Sequence, residues 1–153
     1  MIKKIEKRKL KKYREYDGHE AVFLIEDKKN GLKGFISIHS TKLGPATGGT
    51  RYKEYKNDEE ALKDSLNLSK AMTSKCALAY VPYGGGKTVI IADPKRSKTD
   101  EMLRAYAGEI NKLKGKYSTG EDVGISEHDI VVMAEVSPYI NCLPNRAGEP
   151  SPW

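Results

Sequence analysis

Residues Tyr83–Pro94 read YGGGKTVIIADP, and the order of their parts decides the fold. Three glycines and a lysine come first, an apolar run (Thr88–Ala92) follows, and Asp93-Pro94 ends it. A phosphate-cradling P-loop needs the order strand, loop, helix, with a glycine where Val81 stands; the run after Lys87 is instead β-branched and short. A dinucleotide fingerprint counted from Gly84 needs its third glycine where Val89 stands. Tyr83–Lys87 therefore predicts a glycine loop opening onto a short buried strand, with no nucleotide site in it.

Upstream, Asn57 and Glu60 form a capping-box pattern. Ala61, Leu62, Leu66, Ser69 and Met72 continue at helical spacing, so a helix is expected over about 58–73. Leu43–Arg51 (LGPATGGTR) reads as another glycine-rich loop. Ala21–Glu26 (AVFLIE) and Gly34–His39 (GFISIH) are strand-like and flank Asn30-Gly31, a hairpin dipeptide. Downstream, Ser97 with Asp100 predicts the start of a helix whose apolar face holds Met102, Leu103, Tyr106, Ile110 and Leu113, closed by Gly115. Tyr117–Thr119 suits a strand running into the loop Gly120–Gly124, and Ser126 with Asp129 caps a helix to about Glu135. Strands alternating with helices behind a hairpin predict an α/β domain with a mixed sheet.

The 153 residues are 38% hydrophobic, which suits one domain with a core of its own. No apolar run nears the ~18 residues of a membrane span, and the basic start lacks the apolar stretch of a secretory signal. Cys76 and Cys142 have no Cys or His at metal-ligand spacing, so neither a disulfide nor a metal site is expected, and a cytoplasmic location is. The net charge of +6 sits at one end: residues 1–14 carry +7 and the rest −1. Residues 1–16 are expected as a basic helix or arm with Ile2, Ile5 and Tyr13 toward the body, its lysines in water rather than on nucleic acid.

Lys75 precedes CALAYV, and Lys87 stands between three glycines and TVIIA. Such lysines either snorkel or are held at a site with a lowered pKa. The glycines beside Lys87 allow close approach of a ligand. Asp122, in a separate loop, is a partner for either lysine, as a structural ion pair or as a proton-handling group toward a small carboxylic acid. His19, His39 and His128 have no ligand or triad spacing and read as ordinary core or surface residues.

Taken in order, LGPATGGTR (43–51), EEALKD (59–64), LSKAMTSKCALA (68–79), GGGKTVIIADP (84–94), TGEDVG (119–124) and GEPSPW (148–153) resemble the glutamate/leucine/phenylalanine/valine dehydrogenase family in its N-terminal substrate-binding and dimerisation domain, the leucine type above all. The resemblance covers nearly everything after residue 17. It implies a substrate-binding domain over 17–143 and a connector over 144–153 leading to a NAD-binding Rossmann domain that the 153 residues do not contain. It also implies homo-oligomeric assembly and NAD-linked oxidative deamination of an L-amino acid to its 2-oxo acid. Residue by residue, it implies that Lys75 holds the substrate α-carboxylate, that Lys87 is the catalytic amine activating water, and that Asp122 shuttles protons. Gly48, Gly49 and Met72 would line the substrate pocket. Glutamate-specific members carry a lysine where Thr47 stands, so a neutral, branched-chain side chain is expected, since a second carboxylate would be buried without compensation. The rival expectation is a non-catalytic module that binds amino or 2-oxo acids or co-assembles with full-length subunits.

Overall fold

A computed structural model describes residues 1–93 and 95–144. Six strands form one mixed sheet: β1 (Ile2–Lys4), β2 (Ala21–Asp27), β3 (Leu32–Ser40), β4 (Ala46–Lys53), β5 (Gly84–Ile91) and β6 (Tyr117–Gly120), in the order β1-β2-β3-β5-β4-β6. The β2–β3 hairpin turns through Gly31 at φ 71°, with the Asp27 carboxylate accepting from the Asn30 amide at 2.7 Å. β3 runs antiparallel to β5, whereas β4 runs parallel to both β5 and β6. The parallel pairs require crossovers. Helix α2 (Asp58–Leu78) returns from β4 to β5, and α3 (Asp100–Asn111) from β5 to β6; α1 (Lys7–Leu10) and α4 (Glu127–Ala134) are the other helices among the described residues.

Strand alternation divides the core between the two faces. Phe35 and Val89 meet Ala61, Leu62 and Leu66 of α2. Ile36, Ile38 and Ile90 meet Met102, Leu103, Tyr106 and Ile110 of α3 and Ile130 and Met133 of α4. β5 is covered on both sides, which is why its end, Val89–Ile91, is a run of apolar residues instead of an alternation. No helix among the described residues is long and apolar enough to cross a membrane.

Four details differ from the sequence expectations. Both glycine-rich stretches are strands: 46–53 is β4, and Gly84–Lys87 begins β5. Gly48, Gly49, Gly84, Gly85 and Gly86 have no positive φ, so these glycines serve close packing, not turning. Helix α2 runs to Leu78, because Leu62, Leu66, Ser69 and Cys76 carry one buried face onward; it ends at Ala79, with Tyr80 in the left-handed region at φ 54°. The cap of α3 is Thr99, whose hydroxyl accepts from the Met102 N–H at 3.2 Å, leaving Asp100 in the first turn. Lastly, residues 1–16 are not one helix. Ile2–Lys4 pairs antiparallel with β2, the Ile5 N–H donates to the Val22 carbonyl at 2.8 Å, and only Lys7–Leu10 is helical, anchored by buried Leu10. Hydrogen bonds offered by the free edge of β2 outweigh helix formation in a basic segment too short to be a stable helix. From 145 on, the expected connector lies outside the described residues.

Candidate functional site

On β4 and β5, odd-numbered residues face α2. Val89 packs into the α2 cluster, a Cβ on Gly85 would strike Thr73 and Ser69 of α2, and Arg51 reaches Asp64 of α2. Thr47 pairs with Gly85 on one side and Ser118 on the other, so Thr47, Gly49, Arg51 and Lys87 share this face. Asp122 joins them from the loop after β6. That loop is tied to β4 by the Tyr52 N–H donating to the Val123 carbonyl at 2.8 Å, and it turns at Gly124, φ 78°. Lys98 Nζ donates to the Gly124 carbonyl at 2.6 Å and holds the turn from outside.

Lys87 is 5% exposed, and its Nζ lies 3.3 Å from Asp122 Oδ2. Burial lowers the Lys87 pKa; Asp122 opposes that shift, while Arg51 and Lys75 add to it through their charge. For Asp122, burial alone would raise the pKa, but the Arg51 hydrogen bond and the charges of Lys87 and Arg51 outweigh it and hold the carboxyl below its ordinary range. The result is an amine whose pKa is lowered by burial beside a carboxylate held below its ordinary range, a pairing with the makings of a proton-transfer site.

Gly48 and Gly49 let backbone pack closely beside this pair. A Cβ on Gly49 would come within 2.8 Å of Asp122 Cβ and strike the Glu121 carbonyl oxygen. A Cβ on Gly48 would strike the Gly86 carbonyl oxygen and come within 3.2 Å of Met72 Cγ, so Met72 borders the same spot from α2. Lys75 lies in the last turn of α2, exposed, and among the described residues no carboxylate pairs with it. Thr47 turns its hydroxyl to Ser118 Oγ at 3.3 Å and to the Asn141 amide at 3.4 Å, so its polar partners are β6 and the residues after α4. The structure thus gathers Lys87, Asp122, Gly48, Gly49 and Met72 closely, with Lys75 and Thr47 at the margins.

Sequence reasoning passed over Arg51, Asp64 and Tyr55. Arg51 Nε donates to Asp122 Oδ2 at 2.7 Å, Arg51 Nη1 donates to Asp64 Oδ2 at 3.2 Å, and the Tyr55 hydroxyl donates to the same Asp64 oxygen at 2.6 Å. The signal was present: in a strand, residues 47, 49 and 51 share a face, but in a loop they share nothing.

The opposite face supports the site with buried hydroxyls. Tyr106 OH lies 2.6 Å from Thr50 Oγ1 and donates to Thr88 Oγ1 at 2.8 Å; Tyr117 OH and Thr119 Oγ1 both donate to the Gly48 carbonyl, at 3.0 and 2.9 Å. Thr50, Thr88 and Thr119 each neighbour a stretch that carries the site; one α3 tyrosine bridges β4 and β5, and Thr50, 2.8 Å from Thr119 Oγ1, extends the network to β6. A depression of ≈ 560 Å³ on this other side, with Phe23, Ile38 and Leu113 in its wall, contains none of Lys75, Lys87 and Asp122. Among the described residues no group of three His, Cys, Asp or Glu side chains is placed to hold a metal ion.

Comparison with known proteins bears on this geometry. Residues 19–138 match the family described as Glu/Leu/Phe/Val dehydrogenase, dimerisation domain. The chain is 45% identical to the L-tryptophan dehydrogenase of Nostoc punctiforme over 135 residues, 88% of this chain and 38% of that protein. Its crystal structure superimposes with a TM-score of 0.76 over 82% of this chain and 37% of that one. The phenylalanine dehydrogenase of Caldalkalibacillus thermarum is 47% identical, covering 85% of this chain and 35% of that protein. The leucine dehydrogenase of Bacillus subtilis is 43% identical, covering 92% and 40%. The chain therefore spans well under half the length of these curated relatives, and their identities do not single out the leucine type.

Proposed function

The chain belongs to the Glu/Leu/Phe/Val dehydrogenase family through its dimerisation domain, and from the site we propose that it forms the substrate wall of an amino-acid dehydrogenase acting on an L-amino acid with a neutral, preferably branched-chain, side chain. The observation that carries this reading is the buried Lys87 held 3.3 Å from Asp122, beside glycines that let the neighbouring backbone pack closely. In it, Lys75 holds the substrate α-carboxylate as the unpaired cation at the rim. Lys87, its pKa lowered by burial, accepts a proton from the water that attacks the imine. Asp122 takes protons from the substrate amino group and returns them. A neutral side chain is favoured by Thr47, which supplies no cation for a second carboxylate, and by the names of the relatives, which are tryptophan, phenylalanine, leucine and valine dehydrogenases.

The described residues do not fit NAD. Space a pyrophosphate would need at Gly84–Gly86 is filled: a Cβ on Gly85 meets α2 backbone, and one on Gly86 meets the Tyr117 ring at 2.6 Å. On this reading NAD belongs to another domain, copies of this chain associate in a reducing, cytoplasmic setting, and the residues here handle substrate and protons.

The test joins the chain to the cofactor domain of a full-length relative and follows NAD reduction with L-leucine, L-valine, L-phenylalanine, L-tryptophan and L-glutamate. Turnover that Lys87→Ala abolishes is the expected result. Turnover unaffected by Lys87→Ala, or seen with L-glutamate alone, overturns the assignment.

A further inference from the structure

Asp122 spends one oxygen on two cations. Its Oδ2 accepts from Arg51 Nε at 2.7 Å and lies 3.3 Å from Lys87 Nζ. Its Oδ1 makes no hydrogen bond among the described residues and is not one of their buried unpartnered atoms. Arg51 is fixed from behind, by Asp64 on α2, which is itself held by the Tyr55 hydroxyl. A guanidinium presents its donors in a rigid planar fork, so Nε and Nη1 can serve two carboxylates on separate elements at once.

We propose that Arg51 is the positioning residue of this site: it clamps Asp122 by Oδ2, leaves Oδ1 free for the substrate amino group, and keeps Asp122 from closing onto Lys87 as a tight ion pair. The inference rests on the reading of Lys87 and Asp122 as proton-handling groups. Without the clamp, a part-buried carboxylate and a buried ammonium 3.3 Å apart would draw together, because their attraction is strong where water is scarce. The amine would then keep its proton and cease to be a base.

The charged groups acting on Lys87 are Arg51 on β4, Lys75 on α2 and Asp122 on the loop after β6, with Asp64 on α2 and Tyr55 between β4 and α2 standing behind Arg51. Arg51 and Lys75 disfavour the protonated lysine, and Asp122 favours it. Removing Arg51 withdraws a nearby positive charge and frees Asp122 to approach. Both changes push the Lys87 titration upward.

The experiment follows the Lys87 side chain by NMR through a pH titration of the full 153-residue chain, its signal identified by its loss in Lys87→Met. Arg51→Gln is expected to move the titration up by about one pH unit, a tenfold gain in proton affinity. Arg51→Lys, which keeps the charge without the fork, should also move it up, by less. Tyr55→Phe removes only the hydroxyl behind Asp64 and should shift it slightly in the same direction; it decides the matter if Arg51→Gln does not fold. A Lys87 titration below the ordinary lysine range in the native chain, yet unchanged in Arg51→Gln, overturns the positioning role and leaves the proposed function standing. Full rescue by Arg51→Lys reduces the role to charge and overturns the clamp. An ordinary lysine titration in the native chain overturns both readings.

Discussion

Tyr106→Phe deletes one oxygen from the hydroxyl cluster beneath the site and nothing else. Tyr106 is fully buried, and its hydroxyl makes two short bonds, to Thr50 Oγ1 at 2.6 Å and to Thr88 Oγ1 at 2.8 Å. The threonines keep other partners: Thr50 pairs with Thr119 at 2.8 Å, and Thr88 donates to Tyr117 at 3.1 Å. The loss is therefore two neutral hydrogen bonds without a buried orphan, and at about 1 kcal/mol each the variant should be destabilised by about 2 kcal/mol. With a urea m-value of roughly 2 kcal/mol per molar for a chain of this size, the unfolding midpoint should fall by about 1 M at unchanged slope. The thermal midpoint should drop by about 4–8 °C. A urea midpoint within about 0.2 M of the native chain would refute the reasoning, because the cluster would then not hold the three strands under the site.

Gly49→Ala puts a methyl against Asp122 Cβ and the Glu121 carbonyl; the overpacking should cost about 1–3 kcal/mol and displace Asp122, read by urea unfolding and by its carboxyl NMR signal. Lys87→Met removes a buried ammonium while Arg51 still neutralises Asp122, so stability should stay level or rise by about 1 kcal/mol even though the proposed chemistry is lost; a clear fall in the urea midpoint argues against this. His19 is buried and its pKa is lowered to about 4, by burial first and then by the charges of His39 and Lys70, against the Leu66 carbonyl and Asp17. The unfolded chain binds the extra proton between that value and about 6.5, so stability rises with pH across this window, and up to about 3 kcal/mol is lost on acidification from 6.5 to 4. Urea unfolding should show a shallower acid loss in His19→Gln.

Much of this was legible in the sequence because its cause is local. The 3.6-residue spacing of Leu62, Leu66 and Ser69, the caps Asn57 and Ser126, and the glycine at 31 act over a few residues, and each sits where the sequence put it. The ordered motifs carried the family. Lys87 and Asp122 stood out by their odd surroundings, apolar neighbours for one and a glycine-bounded loop for the other.

What depends on residues far apart in the chain waited for the tertiary structure. A glycine at 48 or 49 reads the same whether it makes a turn or lets two strands lie close, and only the Gly86 and Glu121 carbonyls, distant in sequence, decide for a strand. Once 46–53 is a strand, Arg51 must share a face with Lys87, and the partnership of Arg51 with Asp122, 71 positions away, becomes visible. Ile2–Lys4 likewise became a strand because β2 offered an unpaired edge, which no local preference reveals. By itself the sequence determined the elements held by short-range spacing and singled out Lys75, Lys87 and Asp122 as candidate site groups. Their distances, their burial and the arginine that holds one of them in place were decided by strand pairing, since hydrogen bonding between separate elements sets the face and register of every side chain on them.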